Sequence, residues 1–134
     1  MGYSEQIKVV NLRKQIYDSE WLSVRCDRSS ILGNPFHLRN EGERQAVVYA
    51  HKQWLNNIRL NPRLEVPLSL DYWTNQGFMI APKFKNPSCN LVMRELERIE
   101  ILLKQGKKLS LECWCYPKQC HCDNYKAYLV WRLK

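Results

Sequence analysis

Apolar residues recur along this chain with two different periods, and the switches between them outline a fold. Ile7-Lys8-Val9-Val10-Asn11-Leu12 and Trp21-Leu22-Ser23-Val24-Arg25-Cys26 are short, β-rich and partly alternating, which predicts two strands. Asp18-Ser19-Glu20 supplies a turn between them. Over residues 43–58 the period lengthens. Val47, Ala50, Trp54 and Ile58 recur at three- and four-residue steps with Val48 and Leu55 beside them, and Asn56-Asn57 weakens the end of that helix. A second helix is predicted over residues 91–105, with Leu96, Ile99, Leu102 and Leu103 as its apolar stripe. Asn90 is placed to cap its start and Gly106 to end it in the left-handed conformation. Glu100 and Lys104 stand one turn apart, a pairing worth about 0.3–0.5 kcal/mol.

Residues 109–115 read as a third strand, with Leu109, Leu111, Cys113 and Cys115 on one face. The turn Tyr116-Pro117-Lys118-Gln119 follows, and a last helix begins near Cys120–Asp123. Tyr125, Tyr128, Leu129 and Leu133 are its packing residues, and Asp123 suits its cap or first turn. Residues 60–87 have neither period. Pro62, Pro67, Pro82 and Pro87 fall here with Tyr72, Trp73 and Phe78, which predicts an irregular insertion with one short strand over residues 77–81. Its aromatics are expected to pack over the core, and a loop this long can also act as a lid. Strands and helices intermix, so the expected fold is α/β: a small sheet of at least three strands with flanking helices, one compact domain spanning residues 1–134.

Composition narrows the class. At 134 residues with 45% hydrophobic content, the chain is long enough to build a core without staples. No apolar run is long enough to span a bilayer. The start, MGYSEQIKVV, lacks a basic region followed by a long apolar stretch, which argues against a secretory signal, and Gln6 breaks the N-myristoylation pattern. The expectation is a soluble cytoplasmic protein with no membrane partner, whose cysteines stay reduced.

Charge adds a direction. Residues 1–100 carry 14 basic and 11 acidic side chains, whereas residues 101–134 carry 7 and 2. Lys104, Lys107, Lys108, Lys118, Lys126, Arg132 and Lys134 therefore supply most of the net +8. Such a field attracts phosphates on nucleotides or nucleic acid. The alternative is a solvated surface, with the helix-end lysines complementing the dipole.

The chemistry concentrates in one stretch. Four of the six cysteines lie in Cys113-Trp114-Cys115-Tyr116-Pro117-Lys118-Gln119-Cys120-His121-Cys122-Asp123. One reading is zinc, with Cys113, Cys115, Cys120, His121 and Cys122 as the pool of ligands. Another is a ligand-binding or catalytic site where a strand end meets a helix start. There Cys115 or Cys120 would act as thiolate, His121 would carry the proton, and Asp123 would orient it or cap the helix. A third is buried structural cysteines. Cys26 and Cys89 stand alone and read as core, although Cys26 could reach the site across the sheet. Upstream, Gly33-Asn34-Pro35 is strong loop punctuation, with Gly33 free to take positive φ. Arg28 and Asn34 can contact an anionic or amide-bearing ligand from that loop, or can serve the loop itself.

Two motifs carry a resemblance. Arg28-Ser29-Ser30-Ile31-Leu32-Gly33-Asn34-Pro35-Phe36 is similar to an R-x-x-x-x-G-N-P-F signature, and residues 111–121 to an L-x-C-x-C-x-P-x-x-C-H signature, in the same order. The chain resembles the bacterial and phage family catalogued as domain of unknown function 4326, over residues 7–58 and 90–133. The resemblance implies a small α/β domain, often phage-encoded, and supplies no reaction. Cys122 stands where the family usually has a small residue, which adds a possible thiolate. Residues 60–87 look like an insertion relative to shorter members.

These readings converge on a pocket between the Gly-Asn-Pro-Phe loop, with Arg28, Gly33 and Asn34, and the Cys-His turn. Its expected ligand is a phosphate-bearing nucleotide or related base, bound or acted upon. The competing expectation is a noncatalytic zinc-stabilised module that binds nucleic acid or a host protein, as a phage effector would.

Overall fold

The computed structural model describes residues 2–14 and 19–134. In chain order the elements are β1 (Ile7–Asn11), β2 (Trp21–Arg25), α1 (Arg44–Arg59), α2 (Asp71–Thr74), α3 (Cys89–Lys104), β3 (Lys108–Cys113) and α4 (His121–Arg132). They form a single α/β domain around one three-stranded sheet, ordered β1-β3-β2. Both pairings are parallel, with Val9 and Val24 each level with Leu111. Parallel neighbours cannot be joined by a hairpin, so the long connection from β2 to β3 carries α1, α2 and α3, and α4 follows β3. β3 is made last yet lies in the middle. Every residue from Leu109 to Cys113 is buried, as a central parallel strand covered on both faces requires.

α1 packs between α3 and α4, and α4 lies against β1 and β3. Ile7, Leu109, Leu111, Leu96, Ile99, Trp54 and Tyr125 are almost wholly enclosed. Burial of each such side chain contributes roughly 1.5–3 kcal/mol. Gln6 links helix to sheet: its amide nitrogen donates to Leu103 O at 3.0 Å and Lys107 O at 2.9 Å, satisfying carbonyls at the end of α3.

Several boundaries differ from the sequence reading, each for a local reason. Ser88, not Asn90, caps α3. Its backbone is extended and its hydroxyl accepts from Leu91 N–H at 3.2 Å, so the helix starts at Cys89 and Asn90 falls in its first turn. Gly106 does end α3 at φ +83°. Glu100 ion-pairs with Arg132 of α4 at 3.6 Å, because the side chain is buried toward that helix. Residues 77–81 make a single antiparallel bridge, Phe36 to Ile80, rather than a strand. Ala81 N–H donates to Pro35 O at 2.8 Å, but Pro35 has no N–H to return the bond, so the ladder does not extend past that pair. Ser19 and Glu20 lie in a turn, while Asp18 lies outside the described residues.

The segment over residues 60–87 is irregular apart from α2, and it is anchored. Trp73 is fully buried, 5.4 Å from Phe36 between ring centroids, and its indole N–H donates to Gln53 Oε1 at 3.1 Å. Phe78 packs tilted against Phe36 as well, 5.6 Å between ring centroids.

Candidate functional site

Because all three strands run the same way, their carboxyl ends share one rim of the sheet. Three connections emerge there, and the beginnings of α1 and α4 return to it. Between them lies a cleft of about 90 Å³, lined by Arg28, Asn34, Arg44, Cys115, Cys120 and His121 among others. The early loop and the late turn therefore meet at the carboxyl rim of the sheet, where ligands of α/β folds gather in general.

The early loop holds itself. Arg28 donates through Nε to Asn34 O at 3.3 Å and through Nη2 to Phe36 O at 3.0 Å. Asn34 Oδ1 accepts from Phe36 N–H at 2.9 Å, an Asx turn. Gly33 is needed for a reason other than φ, which is not positive here. A Cβ at that position would stand 2.8 Å from Arg28 Cα and 2.9 Å from Asp27 O. Only a glycine lets the two ends of the loop approach so closely.

The late turn is pinned from outside. Asn11, at the end of β1, donates to Trp114 O at 3.1 Å and Tyr116 O at 2.8 Å. Arg44, in the first turn of α1, donates to Gln119 O at 2.9 Å while its other nitrogens grip Glu41. Asp123 Oδ2 accepts from Cys120 N–H at 3.1 Å, so this carboxylate caps α4 and does not orient His121. His121 donates through Nε2 to the carbonyl oxygen of Cys26 at 2.5 Å. Burial holds its pKa below the usual histidine range. Its proton on Nε2 is thus committed to the backbone.

Cys113, Cys120 and Cys122 bring their sulfurs within 4.8 Å of one another, all buried, with Cys113 and Cys120 only 3.0 Å apart. Cys113 titrates low because the other two thiols donate to it, and Cys120 and Cys122 titrate high in return. Three thiols sharing one buried spot are a donor set that a borderline-soft metal such as zinc fits. The metal pool read from the sequence divides here. β3 ends at Cys113, so the alternation that would put Cys115 on the same face is broken. Cys115 turns into the cleft beside Arg44. His121 is tied to Cys26 and stands outside the thiol group.

The cleft carries excess positive charge. Burial disfavours the charged form of the Arg28 guanidinium, and no carboxylate pairs with it among the described residues. Neighbouring Asp27 is taken by Arg25. At the mouth, the Trp114 indole is 52% exposed. Arg13 lies 5.5 Å from its ring.

A family model described as Domain of unknown function (DUF4326) matches residues 10–131. The chain belongs to this family. No curated protein and no solved structure gives a significant match. In this family member the cleft and the thiol cluster occupy the same rim.

Sequence reasoning passed over Arg44, Asn11 and His51. Arg44 falls in the first turn of the helix read over residues 43–58, and nothing in the pattern marks it. His51 carried a signal, because it stands four residues after Val47 on the apolar stripe of α1. It is fully buried, 5.1 Å from His121 and 4.9 Å from Tyr125 between ring centroids. Of the C-terminal cations, Lys118 pairs with Glu41 at 3.3 Å, Arg132 with Glu100, and Lys108 with Glu20 at 3.9 Å. Part of that charge is therefore compensated. No helix among the described residues is long and apolar enough to cross a membrane.

Proposed function

We propose that the protein binds a small phosphate-bearing ligand of the nucleotide class in the cleft between the Gly-Asn-Pro-Phe loop and the Cys-His turn. The observation that carries this reading is the uncompensated, half-buried guanidinium of Arg28 facing the same cleft as Arg44. A partly desolvated cation without a carboxylate is stabilised by an anion, and guanidinium groups match phosphate oxygens in pairs. Exposed Trp114 at the mouth supplies a surface on which a base can stack.

Fluorescence titration of Trp114 and calorimetry with inorganic phosphate and nucleoside mono-, di- and triphosphates test the reading. Saturable binding of a nucleotide is expected, weakened at least tenfold in Arg44→Ala and in Trp114→Ala. Absence of binding at millimolar ligand, with the chain folded, overturns it.

The thiol cluster favours a second reading: a noncatalytic module whose buried Cys113, Cys120 and Cys122 hold zinc. The three sulfurs come from the end of β3 and the start of α4, so a metal there would fasten the last helix to the sheet and set the floor of the cleft. Metal analysis and unfolding on chelation test it. The partner of such a module would be nucleic acid or another protein, and binding that is indifferent to ionic strength would count against nucleic acid.

A further inference from the structure

We infer that Cys26 is the fourth thiolate of a closed metal centre whose other ligands are Cys113, Cys120 and Cys122. This deepens the zinc reading of the thiol cluster and rests on it. The argument starts from the register of the sheet. Arg25 is level with Glu112, and Cys26 N–H donates to Glu112 O at 2.9 Å, continuing the parallel ladder one step past the end of β2. That step sets Cys26 beside Cys113. Level residues on neighbouring strands point to the same face of a sheet. Both are buried, Cys26 completely.

α4 approaches with two more sulfurs, from its N-cap Cys120 and its second residue Cys122. The Cys122 thiol neighbours those of Cys113, Cys120 and Cys26, and the Cys26 sulfur stands just outside the group of three whose sulfurs lie within 4.8 Å of one another. Two thiols from adjacent strand ends and two from a helix start supply four corners. Zinc–sulfur bonds of about 2.3 Å place tetrahedral sulfurs about 3.8 Å apart, within the span of the three-thiol group. The Cys26 sulfur now contacts Val24 O at 3.7 Å, a weak bond. Metal binding would replace that contact. The backbone of Cys26 is already fixed on both sides, by Glu112 O at its N–H and by His121 Nε2 at its carbonyl. Four thiolates leave no open position, so the centre would be structural. Cys115 would remain outside it as a free thiol facing the cleft.

The test uses the full chain, purified without chelator and loaded with zinc, with X-ray absorption at the zinc edge and native mass spectrometry. One zinc per chain with four sulfurs in the first shell is expected. Cys26→Ser should give three sulfurs and one oxygen or nitrogen, with zinc affinity at least tenfold weaker, and Cys115→Ser should leave shell and affinity unchanged. A wild-type shell of three sulfurs overturns the role of Cys26 while leaving the metal reading standing, and this holds even if Cys26→Ser fails to fold. Absence of stoichiometric zinc overturns both.

Discussion

His121 and Cys26 are joined by a hydrogen bond from the imidazole Nε2 to the carbonyl oxygen just past the end of β2. The bond spans 95 positions of sequence and fastens the start of α4 to the rim of the sheet. It also withdraws His121 from the proton-carrying part that its place in the motif suggests. His121→Ala leaves a buried carbonyl without a partner. Urea denaturation should show a loss of about 1–3 kcal/mol, and an unchanged midpoint would mean that the bond contributes nothing.

Gly33→Ala tests the closure of the early loop. The added methyl group meets backbone atoms of Asp27 and Arg28 below 3.0 Å, and backbone cannot swing aside as a flexible side chain can. Destabilisation of about 1–3 kcal/mol is expected, with weaker ligand binding, because Arg28 and Asn34 are displaced together. Thermal denaturation and the nucleotide titration read the two effects. A neutral substitution would show that the loop relaxes freely.

His51 makes stability depend on pH. Asn124 donates to its Nδ1 at 3.0 Å, so the proton of the neutral ring is on Nε2, which is buried and lacks a hydrogen-bond partner among the described residues. Burial and the nearby His121 push its pKa well below 6.5, and the buried Tyr125 phenol packs on its other side. The unfolded chain therefore takes up the proton first. Stability present above pH 6.5 is lost as the pH falls below that value, by up to about 1.4 kcal/mol per unit for this one ring. Denaturant midpoints between pH 7.5 and 5 should decline, and less steeply in His51→Gln. Equal slopes in the two proteins would refute the assignment.

Trp73→Ala asks whether residues 60–87 belong to the core. Removal of an enclosed indole that packs on Phe36 should cost about 3–5 kcal/mol. Differential scanning calorimetry should show a single, lowered transition. An unchanged transition temperature would mark the segment as a dispensable cover.

Much of the secondary structure was legible because it rests on short-range pattern. The strands near Val9 and Val24 and the helices around Trp54, Leu96 and Tyr125 announce themselves through period. The pairing was not, since nothing local in residues 7–12 or 21–26 states that both lie beside residues 108–113. The meeting of Asn34 with His121 was anticipated from the habit of α/β sheets to gather ligands at their carboxyl rim. Assignments within the site depended on where β3 stops. One residue of strand more or less decides whether Cys115 joins Cys113 or turns toward Arg44, and boundaries are where pattern is weakest. Asp123 was ambiguous in sequence because capping and orienting a histidine demand the same residue type.

The sheet order has a consequence for how the chain is born. β1 and β2 leave the ribosome before β3, and among the described residues each finds its only strand partner in β3. Until translation passes Cys113, two strands with open edges wait with nothing to pair against, a state in which nascent chains attract chaperones or one another. A message truncated within α3 would release both edges unprotected, so residues 108–113 govern whether residues 7–11 and 21–25 pair at all.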